Sequence, residues 1–197
     1  MRVIYAVDIH GYERGLKKLA EVSNSLKADL MVLGGDINAD LTILNGLNCK
    51  VAVTPGECDD IYITKQAREL GILFDGSTVD SDSWIIGFVG GLSFHQSIRK
   101  LYERAINSVD LLVTHFPPKG CLDLVLGKYH GGLNELNSII AKYRVTYVLT
   151  GHYHDNVGVC LMCSNALVIN PGPLTHGNFL LLDYNDTVIE YRFMRLP

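Results

Sequence analysis

The chain has 197 residues, 48% of them apolar and 19% charged, which excludes a disordered polymer and gives length for one domain with a substantial core. A net charge of −4 offers no general attraction for a phosphate backbone, so a nucleic-acid partner is not expected. No apolar run approaches the roughly 18 residues that span a bilayer. The opening MRVIYAVDIHG reads as a strand and turn rather than a secretory leader, so a cytoplasmic protein without a membrane partner is expected.

In chain order, short apolar strands alternate with helical patterns. Strands are expected at Val3–Val7, Leu30–Leu33, Val51–Val53 and Trp84–Val89. Leu16, Leu19, Ala20, Ser23 and Leu26 form a 3.6-residue stripe that predicts a helix over Glu13–Leu26. Further helices are expected over Asp60–Leu70 and Gln96–Asn107. Strands follow at Leu111–Val113 and Val145–Leu149, with a helix near Leu133–Tyr143 between them. The tail gives close-spaced strands, read as antiparallel, at Val157–Met162, Leu167–Ile169, Phe179–Asp183 and Val188–Phe193. Several early strands are continuously apolar, as strands covered on both faces are. The pattern predicts two packed sheets flanked by helices. No repeat or linker divides residues 1–197, so one domain is expected.

The cysteines, Cys49, Cys58, Cys121, Cys160 and Cys163, are odd in number and scattered. They argue against a disulfide framework and fit a reducing compartment. The lone Cys160-x-x-Cys163 pair lies in strand-like sequence and reads as two small packed apolar residues.

Polar residues fall where strands end. Val3–Val7 runs into Asp8-Ile9-His10, and Leu30–Leu33 into Gly34-Gly35-Asp36. Val51–Val53 runs into Thr54-Pro55-Gly56-Glu57-Cys58-Asp59, Leu111–Val113 into Thr114-His115, and Val145–Leu149 into Thr150-Gly151-His152-Tyr153-His154. Sites in open α/β sheets form outside the carboxyl ends of strands. Each fragment alone is a common turn; their joint occurrence at five strand ends is not. Imidazole mixed with carboxylate suits Mn, Fe, Zn, Co or Ni. Four histidines and at least two aspartates exceed the needs of one tetrahedral ion and suffice for two.

The ordered set Asp-x-His, Gly-Asp, a Gly-Asn-x-Asp variant, His and Gly-His-x-His resembles the calcineurin-like metallophosphoesterase superfamily, particularly its small single-domain prokaryotic and archaeal branch. Asn170-Pro171-Gly172-Pro173 is similar to that branch as well. The resemblance implies an α/β fold, a four-layer α/β/β/α sandwich. It implies two divalent metal ions, with Mn favoured. Asp8, His10 and His154 would hold the first, His115 and His152 the second, and Asp36 would bridge them. A hydroxide between the metals would be the nucleophile.

The sequence departs from the family where Asn is expected, at Glu57. A carboxylate there could bind the second metal, point away, or cap the next helix. If it binds, the formal charge of two divalent metals with two Asp falls from +2 to +1. The second metal is then held more tightly and a phosphate anion attracted less. Where many members place a His, this chain has Cys58, read as pocket lining. His130, in His-Gly-Gly, resembles a family segment near the site and is the first candidate for proton donation; His95 and His176 are weaker ones. Asp59 is expected to orient neighbouring groups or cap a helix. The function expected is hydrolysis of small phosphodiesters or phosphomonoesters, with a homo-oligomer an open possibility. The alternatives are a non-catalytic protein-interaction scaffold of the same fold and a nuclease of the same superfamily, the latter disfavoured by the acidic balance.

Overall fold

A computed structural model describes the chain except residues 82, 83, 105, 163, 186 and 187. The first half is β1 (Arg2–Ala6), α1 (Glu13–Leu26), β2 (Leu30–Leu33), β3 (Lys50–Val53), α2 (Ile61–Glu69), β4 (Ser77–Ser81) and β5 (Trp84–Val89). Then come α3 (Phe94–Tyr102), β6 (Leu111–Thr114), the short strands β7 (Leu124–Val125) and β8 (Tyr129–His130), α4 (Asn134–Tyr143) and β9 (Tyr147–Leu149). The tail is β10 (Gly158–Leu161), β11 (Leu167–Asn170), β12 (Asn178–Asn185) and β13 (Val188–Arg195).

Two large sheets form, ordered β13-β12-β1-β2-β3 and β10-β11-β9-β6-β5-β4. The middle strands of each run parallel, because every crossover between them carries a helix or a long loop. Antiparallel strands close three of the four edges, and β3 at the fourth pairs parallel with β2. The expected antiparallel tail is present, except that β11 pairs parallel with β9.

Three apolar layers hold the stack. Alternate residues of β1, Ile4 and Ala6, join Met31 and Leu33 beneath Leu16 and Leu19 of α1 and Ile63 and Ala67 of α2. The opposite-facing Val3, Tyr5, Val7 and Val32 meet Trp84, Ile86, Phe88, Leu111 and Val113 of the second sheet. The outer face of that sheet, through Leu112, Val148 and Val168, packs on Ile98 and Leu101 of α3 and Leu136, Ile139 and Ile140 of α4. The result is the α/β/β/α order that the resemblance implied. Among the described residues no helix is long and apolar enough to cross a membrane.

Differences from the expected elements have local causes. The α3 helix starts at Phe94 and stops at Tyr102 rather than running to Asn107. Beyond its buried Ile98 and Leu101, turn bonds such as Ile106 N–H to Arg104 O replace the helical ladder. Strands β4, β7 and β8 were not anticipated: β4 is polar and exists through pairing with β5, and β7–β8 is a two-residue pairing. The expectation of thiols alone is overturned, since Cys121 and Cys160, 39 positions apart, form a disulfide. Cys160 is therefore not a free packed thiol, whereas Cys49 and Cys58 are free. Cys163 lies outside the described residues.

Phe88 is fully buried between the sheets, its ring 5.0 Å from that of Phe74. Phe88→Ala is expected to destabilise the fold by about 3–5 kcal/mol, read as a lowered urea midpoint at unchanged slope.

Candidate metal centre

The carboxyl ends of β1, β2 and β3 in one sheet face the same edge as those of β6 and β9 in the other. Asp8 and His10 follow β1, Asp36 follows β2, Glu57 follows β3, His115 follows β6, and His152 and His154 follow β9. The loops are tightly wound. Asp8, His10, Asp36 and His152 all adopt left-handed backbone, with φ of 55°, 43°, 51° and 68°. Such conformations cost of order 1–3 kcal/mol each and concentrate at functional sites. Backbone bonds over-determine them: Asp8 N–H donates to Gly35 O at 3.1 Å, and the N–H groups of Ile9 and His10 both donate to Asp36 O at 2.9 and 2.7 Å. Glycine is required where loops meet. A Cβ on Gly56 would lie 2.1 Å from Asp36 Oδ1, and one on Gly35 would lie 2.6 Å from His115 Nδ1.

Asp59 is buried, and its carboxylate ties the β2 and β3 loops together. Oδ1 accepts from Ile37 N–H at 2.7 Å and Asn38 N–H at 3.0 Å, and Oδ2 accepts from Gly56 N–H at 2.9 Å. Burial raises its pKa, against the lowering effect of these three bonds. It does not cap α2; Asp60 does, accepting from Tyr62 and Ile63 N–H. Nor does Glu57 cap that helix.

Among the described residues the candidate ligand atoms fall into four overlapping groups: Asp8, His10 and His154; Glu57, His115 and His152; Asp8, Asp36 and His115; and Asp36, Glu57 and Cys58. In the first, His10 Nε2 and His154 Nε2 are 3.3 Å apart, with Asp8 Oδ1 3.6 Å from the latter. In the second, the Glu57 carboxylate reaches His115 Nε2 at 2.7 Å and His152 Nδ1 at 2.6 Å. Asp36 lies between the groups, Oδ2 being 3.8 Å from His10 Nε2 and 3.4 Å from His115 Nε2. Its Oδ1 accepts from Cys58 N–H at 2.9 Å.

His115 tests whether this set suits a cation. Its Nδ1 lies 3.0 Å from the carbonyl oxygen of Gly34, which can only accept, so Nδ1 carries the hydrogen. The buried Nε2 then has its lone pair turned into the cluster. Glu57 Oε2 stands 2.7 Å away, at ion-pair distance, while Nε2 has no hydrogen-bond partner. A nitrogen lone pair facing carboxylates is satisfied by a proton or a metal ion. Burial lowers the His115 pKa, but Asp36, Glu57 and Asp8 outweigh it and raise the value to about 10, a measure of the pocket's demand for positive charge. Burial also raises the Asp8 pKa, against the pull of His115 and His154. At Glu57 burial is overcome by the two imidazoles, which hold the carboxyl well below its usual range. Burial and then Asp36 push the Cys58 thiol up to about 11, which keeps it protonated. Imidazole and carboxylate donors in such groups suit divalent cations.

His130 joins none of these groups among the described residues. It sits on β8, half exposed, with Nδ1 2.7 Å from Asp123 Oδ1. The hairpin is nevertheless fastened to the site, because Tyr153, between two candidate ligands, donates its hydroxyl to Gly131 O at 3.0 Å. Asp123 was missed in the sequence; it is buried and also accepts from Gly120 and Gly132 N–H. A lone acid inside the apolar stretch Cys-Leu-Asp-Leu-Val was the available signal. His95 and His176 likewise join no group.

Residues 1–186 match the calcineurin-like phosphoesterase superfamily domain. A curated relative, UPF0046 protein K07C11.7 of Caenorhabditis elegans, is 27% identical over 113 residues, 56% of this chain. The match spans only 38% of that relative's length. Among solved structures, a dimetal phosphatase from Danio rerio is similar at 11% identity and a TM-score of 0.72, with 100% of this chain and 99% of that one covered. The protein TT1561 of Thermus thermophilus is similar at 17% identity and a TM-score of 0.70, with 97% of each chain covered. A structure described as a novel archaeal phosphodiesterase is similar at 16% identity and a TM-score of 0.60, with 98% of this chain and 100% of that one covered. At such identities the structural likeness speaks for the fold, while the family match spans the whole ligand-bearing region from Asp8 to His154. The chain belongs to the calcineurin-like phosphoesterase superfamily.

Proposed function

We propose that the protein hydrolyses small phosphate esters, diesters or monoesters, at a centre of two divalent cations. The observation that carries this reading is the buried Nε2 of His115, which has no hydrogen-bond partner and faces Asp36 and Glu57 in groups that also include Asp8 and His152. Asp8, His10 and His154 would hold one cation, and His115, His152 and Glu57 the other, with Asp36 shared. Two divalent cations there (Mn favoured; Fe, Zn, Co or Ni alternatives) would lower the pKa of water toward neutrality and offset charge on the phosphoryl oxygens.

The chain's own residues set geometry and access. Asp59 acts as a positioning residue, holding the Asp36 and Glu57 loops in register. The His115 and Asp36 side chains are 0% and 3% exposed, whereas those of His10, His154, Glu57 and His152 are 32%, 40%, 33% and 22% exposed, so substrate reaches the centre across the open faces of both groups, with Asp36 and His115 beneath. Asp123 fixes His130 with Nδ1–H toward the protein and Nε2 toward solvent, and we assign His130 to the leaving-group side of the substrate. Glu57 in place of a neutral amide adds a negative charge, giving a firmer hold on its cation and a weaker attraction for the substrate anion. A purely scaffolding role is disfavoured, because a buried cluster of acids and imidazoles is costly without a cation.

Hydrolysis of bis(p-nitrophenyl) phosphate is expected with added Mn²⁺ and lost with a chelator. Asp36→Asn and His115→Ala should each lower kcat by about a hundredfold or more. Equal activity in wild type and both variants would overturn the site assignment. Glu57→Asn should weaken Mn²⁺ binding by about tenfold while inorganic phosphate inhibits at lower concentration; unchanged Mn²⁺ affinity would remove Glu57 from the ligand set. His130→Gln should reduce turnover of phenyl or alkyl esters by about 10²-fold or more and spare the nitrophenyl ester, whose leaving group needs no proton. Equal losses on both substrates would contradict the assignment.

A further inference from the structure

The disulfide lies between the two segments that carry the Glu57-side ligands. Cys121 is six positions beyond His115, and Cys160 six positions beyond His154. Their Cα atoms are 5.7 Å apart on the α4 side of the second sheet, among Leu136, Ile139 and Val168. The stretch from His115 to Cys121 is stiff. Pro117 and Pro118 fix two φ angles, Leu133 N–H bonds Pro117 O at 3.0 Å, and Cys121 N–H bonds Pro118 O at 3.3 Å. On the other side, β10 begins at Gly158, just before Cys160, and is held to β11. The two segments also meet through hydrogen bonds and ring contacts: the β6–β9 ladder behind them, Gly151 N–H to His115 O at 3.1 Å, Thr150 Oγ1 to the same oxygen at 3.0 Å, Asn156 Nδ2 to Leu124 O at 2.8 Å, and the rings of Phe116 and His152 at 4.7 Å.

We propose that the Cys121–Cys160 bond is a covalent brace that positions His115 against His152 and His154, and that thiol reduction loosens the protein's hold on its cations. The inference rests on the metal-centre reading above. The bond can be reached: Cys121 lines a surface cavity of about 370 Å³ with Lys119, Asn137, Leu161 and Met162. Cys160 is half-buried while Cys121 is 3% exposed, so Cys160 is the more open residue of the pair and attack is placed on its sulfur. A dithiol reductant supplies the thiolate. It bonds to Cys160 Sγ, the S–S bond breaks, and Cys121 leaves as a thiolate that takes up a proton. The second thiol of the reductant displaces Cys160, so the protein gains two thiols and the reductant becomes a disulfide. His115 is then tethered to the β9–β10 segment by hydrogen bonds and ring contacts alone.

The test uses the full chain, oxidised and freed of metal, titrated calorimetrically with Mn²⁺ before and after dithiothreitol, with cysteine peptide mapping in parallel. Mapping should find Cys121 joined to Cys160. Reduction should weaken Mn²⁺ binding by about tenfold, as loss of a ligand-orienting group does, with the far-UV circular dichroism unchanged. Cys160→Ser should show the same weakening without reductant and no further change with it, while Cys49→Ser should match wild type. Equal affinity in both redox states, free thiols at both positions, a Cys160–Cys163 bond, or loss of secondary structure on reduction would overturn the brace and leave the metal centre standing. An oxidised protein that binds no Mn²⁺ would overturn both together.

Discussion

The structure depends on an electrostatic constraint at one edge of two sheets. Three carboxylates and four imidazoles fall into overlapping groups whose candidate ligand atoms lie within 4.8 Å of one another, and several of these side chains are out of water. Anionic oxygens and nitrogen lone pairs repel in such a place unless positive charge lies between them. The raised pKa of His115 and the depressed one of Glu57 record that demand from its two sides. The sandwich is arranged so that this crowding is held: apolar packing on three layers fixes five strands, and the strand ends carry the crowded groups.

Backbone strain and second contacts serve the same end. Left-handed conformations at Asp8, His10, Asp36 and His152 turn their side chains toward a common point. Asp59 offsets part of that strain by accepting three backbone hydrogen bonds from the loops around Asp36 and Glu57. Asp123 does a related job for the β7–β8 hairpin, and Tyr153 links that hairpin to the His152–His154 loop. The centre is thus part of a bonded network reaching beyond the ligands, which is how ligand orientation is usually maintained.

Glu57 stands where the resemblance implied an Asn. Sequence left three fates for it: ligand, helix cap, or outward-pointing acid. The geometry turns it toward His115 and His152, while Asp60 performs the capping. An ionised carboxylate in that position adds a negative charge to the cluster beside His115 and His152.

Much of this protein was legible in the sequence because two signals are local. Apolar periodicity specified α1 over Glu13–Leu26 and β5 over Trp84–Val89 to the residue, since burial of one helical stripe or of a whole strand dictates side-chain type at each position. Ligand types at strand ends named the metal-binding candidates, since loop positions there have little structural reason to be His or Asp. What the sequence alone could not decide depends on segments distant along the chain. Polar β4 is a strand only because β5 offers it a partner. Asp59 and Asp123 are anchors only because remote amide groups point at them. Cys121 and Cys160 pair only because the β6 loop and β10 lie side by side, and spacing along a chain carries no measure of that approach.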